Sequence, residues 1–205
     1  MNAEILTPAD SSRAEARRSQ ILVAAEDCFR DHGFHGASIA QISKAAGMSA
    51  GHIYHYFENK EAIIAAIVAR DLDLMLTLTA ELRAASDVLE ALVDRAAGGV
   101  IENLDPRSAG LKLEIVAEAA RNPAVAEVVR KADQRCIASL AETLRILRRA
   151  NGQPDDDATI TGMTEMIAAM FEGLLVRAIR NPGLDRQTVI TMFQRVIRML
   201  VTDSR

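Results

Sequence analysis

The chain has 205 residues, a length that suits one medium domain or a small domain joined to a larger one. Hydrophobic residues make up 49% of it, aromatic residues only 3%, and tryptophan is absent, so its core must be aliphatic. A formal net charge of −4 argues against a protein that coats nucleic acid without regard to sequence, but it allows a reader with a small local footprint.

The sequence indicates neither secretion nor a membrane anchor. Its N-terminus, MNAEILTPADSS, lacks the basic start and the apolar run of a signal peptide. No stretch approaches the roughly 20 apolar residues of a membrane span. We therefore expect a soluble cytoplasmic protein. Cys28 and Cys136 match no metal-binding spacing and are predicted to be buried small side chains, with a redox sensor as the alternative.

The first elements in chain order are a flexible arm, predicted over residues 1 to about 11, and a helix over about 12–32. Gly33 is the expected stop of that helix, since glycine adopts the left-handed conformation past a helix end. No segment of the chain shows the strict alternation of a strand.

A helix-turn-helix pattern follows. Ser38 and Gln41 fit the S-x-x-Q capping box, in which each side chain satisfies the backbone N–H of the other residue, so the second helix begins there. Gly47 ends the second helix, and Ser49 caps a short third helix.

The third helix is predicted to have one apolar and one polar face. At about 100° per residue, Ile53 and Phe57 point to the same side and pack onto the first two helices. Three residues point roughly the other way: Gly51, His52 and His55. A small, polar face of this kind can lie in the major groove and present its early residues to base edges. An ordinary hairpin whose aromatic residues simply pack is the alternative.

Capping side chains, prolines and glycines mark the remaining helices. They are predicted over about 60–84, 87–103, 106–121, 123–151, 156–181 and 185–202. The fold class is therefore all-α, with about nine helices. We predict an N-terminal DNA-binding head over residues 1–59 and a larger helical body over residues 60–205.

The segment GMSAGHIYHYFENKE, residues 47–61, resembles the N-terminal pattern of the tetracycline-repressor (TetR) family of bacterial regulators. That pattern runs close to G-x-S-x-G-x-[LI]-Y-x-[YH]-F-x-[SN]-K-E, and this chain matches every main position. The resemblance is specific over about residues 13–62 and rests on helix number and length elsewhere. It implies a homodimer with two N-terminal reading heads and a palindromic operator.

The resemblance also implies roles for individual residues. Contacts with the DNA backbone are expected from Ser38, Ser49, His52, Tyr54, His55, Tyr56 and Lys60. Ala50 and Gly51, together with His52, are expected nearest the bases. Many relatives have a polar or basic side chain where this chain has Ala50, so readout of DNA shape gains importance.

The four histidines all lie in the predicted head, at positions 32, 35, 52 and 55. A metal site is one alternative, but no carboxylate or cysteine has matching spacing. A modest pH effect is the second hypothesis, because protonating His52 or His55 would add positive charge beside phosphate.

The last two predicted helices suit a dimer seam. Small residues allow close approach of two helices, and apolar neighbours supply buried area. The expected interface residues are Gly162, Ala169, Gly173, Val176, Val189, Phe193, Val196, Ile197 and Leu200. Two such helices from each subunit would form a four-helix seam. The alternative is that both are core helices of a monomer.

By resemblance, the middle helices enclose an effector site. Its expected lining residues are Met75, Leu78, Leu82, Leu92, Met166, Met170 and Phe171. Glu114 and Glu118 lie one turn apart and could face an apolar cavity, where they would favour a cationic or hydrogen-bond-donating ligand. A solvated helix face is the alternative for this pair.

The function predicted from these features is a transcriptional repressor that a small-molecule effector releases from its operator. An enzyme is disfavoured, because the chain has no G-x-S-x-G, phosphate-loop, H-E-x-x-H or paired-cysteine motif. No metal or other cofactor is expected. A constitutive DNA-binding or architectural protein without an effector is the remaining alternative.

Overall fold

The computed structural model describes residues 8–202, with side chains described from Ser12 onward. In this part of the chain every regular element is a helix, which confirms the all-α prediction. The helices are α1 (Pro8–Gly36), α2 (Ile39–Ala45), α3 (Ala50–Tyr56), α4 (Lys60–Ala84), α5 (Val88–Asn103), α6 (Pro106–Ala119), α7 (Pro123–Ala150), α8 (Asp157–Arg180) and α9 (Arg186–Thr202).

The predicted flexible arm is wrong over its last residues, because α1 already begins at Pro8. Proline is common at the first position of a helix, where its fixed φ fits and its missing N–H is not needed. Residues 1–7 of the predicted arm lie outside the described residues. Gly33 has φ 68° and ψ 168°, so the long helix stops there as predicted, and residues 34–36 add one short turn.

Local capping fixes the helix starts. The Ser38–Gln41 capping box forms in both directions, and Ser49 accepts from the backbone N–H of His52. Asp105 and Asn122 each cap a helix that begins with proline, as predicted. These caps depend on residues two or three positions apart, which is why the boundaries follow from sequence alone.

Three clusters of buried aliphatic side chains stabilise the bundle. The first joins α1, α2 and α3 to α4, α6 and the start of α7. The second and third lie among α5, α7, α8 and α9 and among α5, α6, α8 and α9. The first three helices thus share a continuous core with the following helices, and the division into head and body at residue 60 stays a prediction.

Cys28 is buried in the first cluster, as predicted. Burial raises the pKa of its thiol, with further contributions from Asp27 and Asp31. Cys136 is half-buried, and burial followed by the charge of Asp133 raises the pKa of that thiol too. A raised pKa keeps a thiol protonated and unreactive, which favours the buried-side-chain interpretation over a redox sensor.

α8 is the one helix in the described part of the chain with the length and apolar character of a membrane span. Its most apolar 18-residue window has a mean hydropathy of 1.3, and 33% of that window is buried inside the protein. The expectation that no stretch approaches such a span is therefore wrong for α8. One apolar side of α8 is therefore largely exposed and is not buried by the rest of the described chain.

Candidate nucleic-acid interface

The connection between α2 and α3 is a tight turn. Gly47 has φ 63°, a conformation that residues with a Cβ rarely adopt. The backbone N–H of Met48 donates to the carbonyl of Ser43 at 2.9 Å, and that of Gly47 donates to the carbonyl of Lys44 at 3.2 Å. This is the pattern of a helix that ends in a left-handed glycine. It turns the chain within four residues, so that α3 can begin at Ala50.

The orientation of α3 is the one predicted. Ile53 is 0% exposed and Phe57 is 3% exposed, so both anchor the helix in the first buried cluster. Gly51, His52 and His55 face solvent, as do Ser49, Ala50 and Tyr54. The DNA contacts expected from these residues stay a prediction, but the face that would make them is open.

Tyr56 is half-buried between two imidazole rings. Its ring stacks on His52, with ring centroids 5.6 Å apart, and meets the edge of His55 at 5.1 Å. The three rings therefore support one another along the outer side of α3.

In the described part of the chain, no group of three or more His, Cys, Asp or Glu side chains could hold a metal ion.

Two side chains of α1 hold the α2–α3 unit in place. The amide of Gln20 donates to the carbonyl of Ala46 at 2.8 Å, in the turn, and Arg18 donates to the carbonyl of Tyr56 at 3.3 Å. The guanidinium of Arg18 also lies 4.6 Å above the ring centre of Phe57. The sequence reasoning missed both residues, because their partners are 26 and 38 positions away and no local signal connects them.

Lys60, which is predicted to contact phosphate, also makes contacts within the protein. Its ammonium donates to the carbonyls of Phe34 at 2.6 Å and Ala37 at 2.8 Å, and it lies 4.6 Å above the ring centre of Phe34. Two of its three N–H donors are thereby occupied. Lys60 thus ties the start of α4 to the chain that leads into α2.

Glu114 and Glu118 contact this same segment. Glu114 accepts from the backbone N–H of Phe34 at 2.5 Å. Glu118 is 1% exposed, and its carboxylate lies 3.0 Å from the Nε2 atom of His35. The solvated-face alternative is therefore wrong for Glu118. Both carboxylates contact the end of α1, and their predicted role in lining an effector site stays a prediction.

The other predicted effector-lining residues differ in burial. Leu92 is buried in the second cluster, with Leu82 and Phe171 packed against it. Met75 and Met166 are 40% and 42% exposed on α4 and α8. Leu78 and Met170 are half-buried. An effector site lined by this set stays a prediction.

One side of α8 is exposed in the described part of the chain, as the predicted seam requires. Gly162, Ala169, Gly173 and Val176 are all exposed there, and Met166 adds to the same side. Glu172, beside these residues, is exposed, but partial desolvation of its carboxyl raises its pKa, and the charges of Asp133 and Glu165 raise it further.

The prediction for α9 is partly wrong. Ile197 is 1% exposed and lies in the second buried cluster of the chain itself, so it is not available to a partner. Val189, Phe193, Val196 and Leu200 are half-buried, and the ring of Phe193 packs on that of Phe171. Met192 and Met199 are 46% and 52% exposed, and the prediction omitted both. With Val196 they recur every three or four residues, a signal that could have found them.

Ser38 offers a test that separates a cap from a DNA contact. Ser38→Ala removes the hydroxyl that accepts from Gln41 and is expected to lower the free energy of unfolding by about 1 kcal/mol. Ser38→Asp keeps a good cap but brings a carboxylate toward the DNA backbone, so stability should hold while affinity for DNA falls by about 10-fold. Urea unfolding and fluorescence anisotropy measure the two effects. Unchanged DNA affinity of Ser38→Asp would exclude Ser38 from the interface.

Comparison with known proteins agrees with this geometry. Residues 21–67 match the family described as bacterial regulatory proteins, tetR family, and residues 85–202 match the C-terminal region of BetI-type transcriptional repressors. The chain is 30% identical to the HTH-type transcriptional regulator UidR of Escherichia coli K12 over 164 residues, 80% of this chain and 82% of UidR.

Solved structures share the whole architecture. Salmonella enterica GusR superposes with a TM-score of 0.76 at 28% identity, covering 98% of this chain and 100% of GusR. FadR from Bacillus subtilis, in complex with stearoyl-CoA, has a TM-score of 0.74 at 19% identity and covers 90% of this chain and 97% of FadR. At that identity the likeness to FadR shows the fold alone.

Proposed function

The chain belongs to the TetR family of bacterial transcriptional regulators, and from this we propose a homodimeric repressor that a small-molecule effector releases from a palindromic operator. The observation that carries the proposal is the outward face of α3, held by buried Ile53 and Phe57. A helix anchored on one side and open on the other can enter a major groove without any change in its own packing.

Operator reading combines two kinds of contact in this proposal. Ala50, Gly51 and His52 at the start of α3 lie nearest the bases. Ser38, Ser49, Tyr54, His55, Tyr56 and Lys60 contact the backbone and set the register. Ala50 and Gly51 have no polar side chain to read base edges, so much of the specificity comes from the shape of the operator.

The homodimer forms through α8 and α9. The exposed strip of Gly162, Ala169 and Gly173 lets a second α8 approach closely, while Met192 and Met199 extend the apolar area on α9. Two helices from each subunit then form a four-helix seam. A two-fold dimer places two α3 helices on one face of DNA, which is why the operator is palindromic.

This seam accounts for the exposed apolar side of α8 better than a membrane does. Glu165 and Glu172 are exposed on the same helix, and Arg177 follows one turn later. Charged side chains of this kind are costly against lipid but are tolerated at the rim of a protein interface. A regulator that binds chromosomal DNA acts in the cytoplasm.

The effector occupies the helical body, and the protein does not turn it over. The relatives are regulators. Glu114 and Glu118 are the best candidates in this chain for a catalytic acid–base pair, and both contact the end of α1. The effector acts by preferring the conformation that does not bind DNA, since a ligand shifts an equilibrium only by its preference for one state.

The proposal is tested by selecting DNA fragments of the source genome that bind the purified protein. We expect one or a few sites with two inverted half-sites about one helical turn or more apart, each filled by one chain of a dimer, as footprinting and analytical ultracentrifugation will show. Compounds that release this DNA identify the effector. Equal affinity for all fragments would instead favour the architectural alternative.

A further inference from the structure

The segment of residues 33–38, called the connection below, comprises the kink at Gly33, the last short turn of α1 and the residues that lead into α2, and charged side chains from two later helices hold it. Glu114 on α6 accepts from the backbone N–H of Phe34 at 2.5 Å. Lys60 at the start of α4 donates to the carbonyl of the same residue at 2.6 Å and to that of Ala37 at 2.8 Å. The carboxylate of Glu114 thus binds the backbone N–H of Phe34, and the ammonium of Lys60 binds its carbonyl.

Glu118 adds a second contact from α6. Its carboxylate is almost fully buried, with Nε2 of His35 at 3.0 Å and the guanidinium of Arg121 at 3.6 Å. The side-chain amide of Asn122 donates to its other oxygen at 3.1 Å. Oε2 of Glu118 accepts no hydrogen bond from the described residues, so His35 and Arg121 compensate for its burial by proximity alone.

The connection is shaped to fit these contacts. Gly33 has φ 68°, and a Cβ at this position would lie 3.1 Å from Oε1 of Glu114. The segment leads directly into Ser38, whose capping box starts α2, and α2 is followed after one turn by α3. Any displacement of α6 is therefore transmitted over a few residues to the helix that faces DNA.

Buried contacts distinguish this clasp, formed by Glu114 and Glu118, from the rest of the contact between the first three helices and α6. Leu111 and Ile115 of α6 pack in the shared apolar core, and the ion pair of Arg107 with Asp27 of α1, at 2.9 Å, is exposed to solvent, which weakens it. Apolar side chains allow small rotations at little cost, whereas the hydrogen bond from the backbone N–H of Phe34 to Glu114 fixes an angle.

We propose that Glu114 and Glu118 are positioning residues for operator reading: through the connection at residues 33–38 they fix the angle of the α2–α3 unit relative to α6. This inference rests on the proposed function as a dimeric operator-binding regulator. In a dimer this angle sets the distance between the two α3 helices, so the clasp determines which half-site spacing is accepted.

The test compares the double variant Glu114→Met/Glu118→Met with Glu102→Met/Glu127→Met. Both variants lose two negative charges, but Glu102 and Glu127 pair with Lys112, Arg130 and Lys131, away from the connection. Methionine is close to glutamate in length, and replacing buried ionic groups with apolar ones of similar volume is often neutral for stability. Operators with the natural spacing and with one base pair added or removed serve as probes.

We expect the clasp variant to bind the natural operator about 10-fold more weakly and to lose most of its discrimination against altered spacings, with wild-type dimerisation. The control pair should match the wild type, and Glu114→Gln/Glu118→Gln, which keeps one acceptor oxygen at each position, should restore most of both properties. Spacing discrimination equal to that of the control would overturn the proposal.

If the double variant Glu114→Met/Glu118→Met does not fold, His35→Ala tests the proposed positioning role instead. The side chain of His35 is 71% exposed, so its loss leaves the core intact while removing the partner of Glu118. We expect a smaller shift in the same two measurements, and no shift would equally overturn the proposal. If the wild type itself selects no operator, the proposed function fails first, and the two failures are thereby distinct.

Discussion

Operator binding is expected to fall by at least about 100-fold when Gly51 is replaced by aspartate, while the protein stays folded. No atom outside the local helix lies within 4 Å of a Cβ at this position, so the side chain fits in the free protein. Gly51 lies in the first turn of α3, where an acidic residue is favourable to the helix. In the complex the same carboxylate faces phosphates and base acceptors, and like charges brought together cost several kcal/mol.

Two matched variants separate the effects of charge and size. Gly51→Asn has nearly the same shape without the charge and should lose much less affinity, and Gly51→Ala should lose the least. Anisotropy titrations with labelled operator at fixed salt give the affinities, and thermal unfolding confirms that the fold is kept. If Gly51→Asp bound the operator as tightly as the wild type, α3 would not be the reading helix.

The features that the sequence predicted well depend on near neighbours in the chain. The Ser38–Gln41 box and the Asp105–Pro106 start place helix ends to within a residue or two, because the groups that cap a helix are within one turn of it. The orientation of α3 also follows locally, since helical geometry alone puts Ile53 opposite Gly51 and His55.

The features that the sequence missed depend on which helices meet. Glu118 looks like a solvated carboxylate until α6 is packed against the end of α1, where His35 covers it. Lys60 looks like a free cation because its carbonyl partners are 26 and 23 residues earlier. Helical periodicity assigns a side chain to a face but not to a partner, so contacts of this kind need the tertiary structure.

α9 shows the same limit on a single helix. Ile197 and Met199 are two residues apart and equally apolar, yet one is buried in the second cluster and the other is 52% exposed. The apolar arc of the helix is wide enough to serve both its own core and a partner. The contacts of α9 with α5 and α7 decide which edge remains free.

Gly173→Arg is expected to convert the dimer into monomers and to weaken operator binding by at least about 100-fold. Gly173 is exposed on α8 with open space around its Cβ position, so the monomer accommodates arginine. In the dimer the side chain would wedge the two α8 helices apart and bury an unpaired charge. Without the seam, the two heads no longer bind as one unit. The gain in operator affinity from linking two binding heads, typically about 10²–10⁴-fold, is then lost.

Gly110→Arg is the matched control, because Gly110 also lies inside a helix with open space at its Cβ position but belongs to α6. It should remain dimeric, as should Gly173→Ala, which adds one methyl group and improves helix propensity. Sedimentation equilibrium gives the dimer dissociation constants, and anisotropy gives operator affinity. Because the seam and the DNA face lie on different helices, loss of dimerisation in Gly173→Arg must appear with an intact α3. A variant that stayed dimeric would place the seam elsewhere and leave the open side of α8 without its proposed partner.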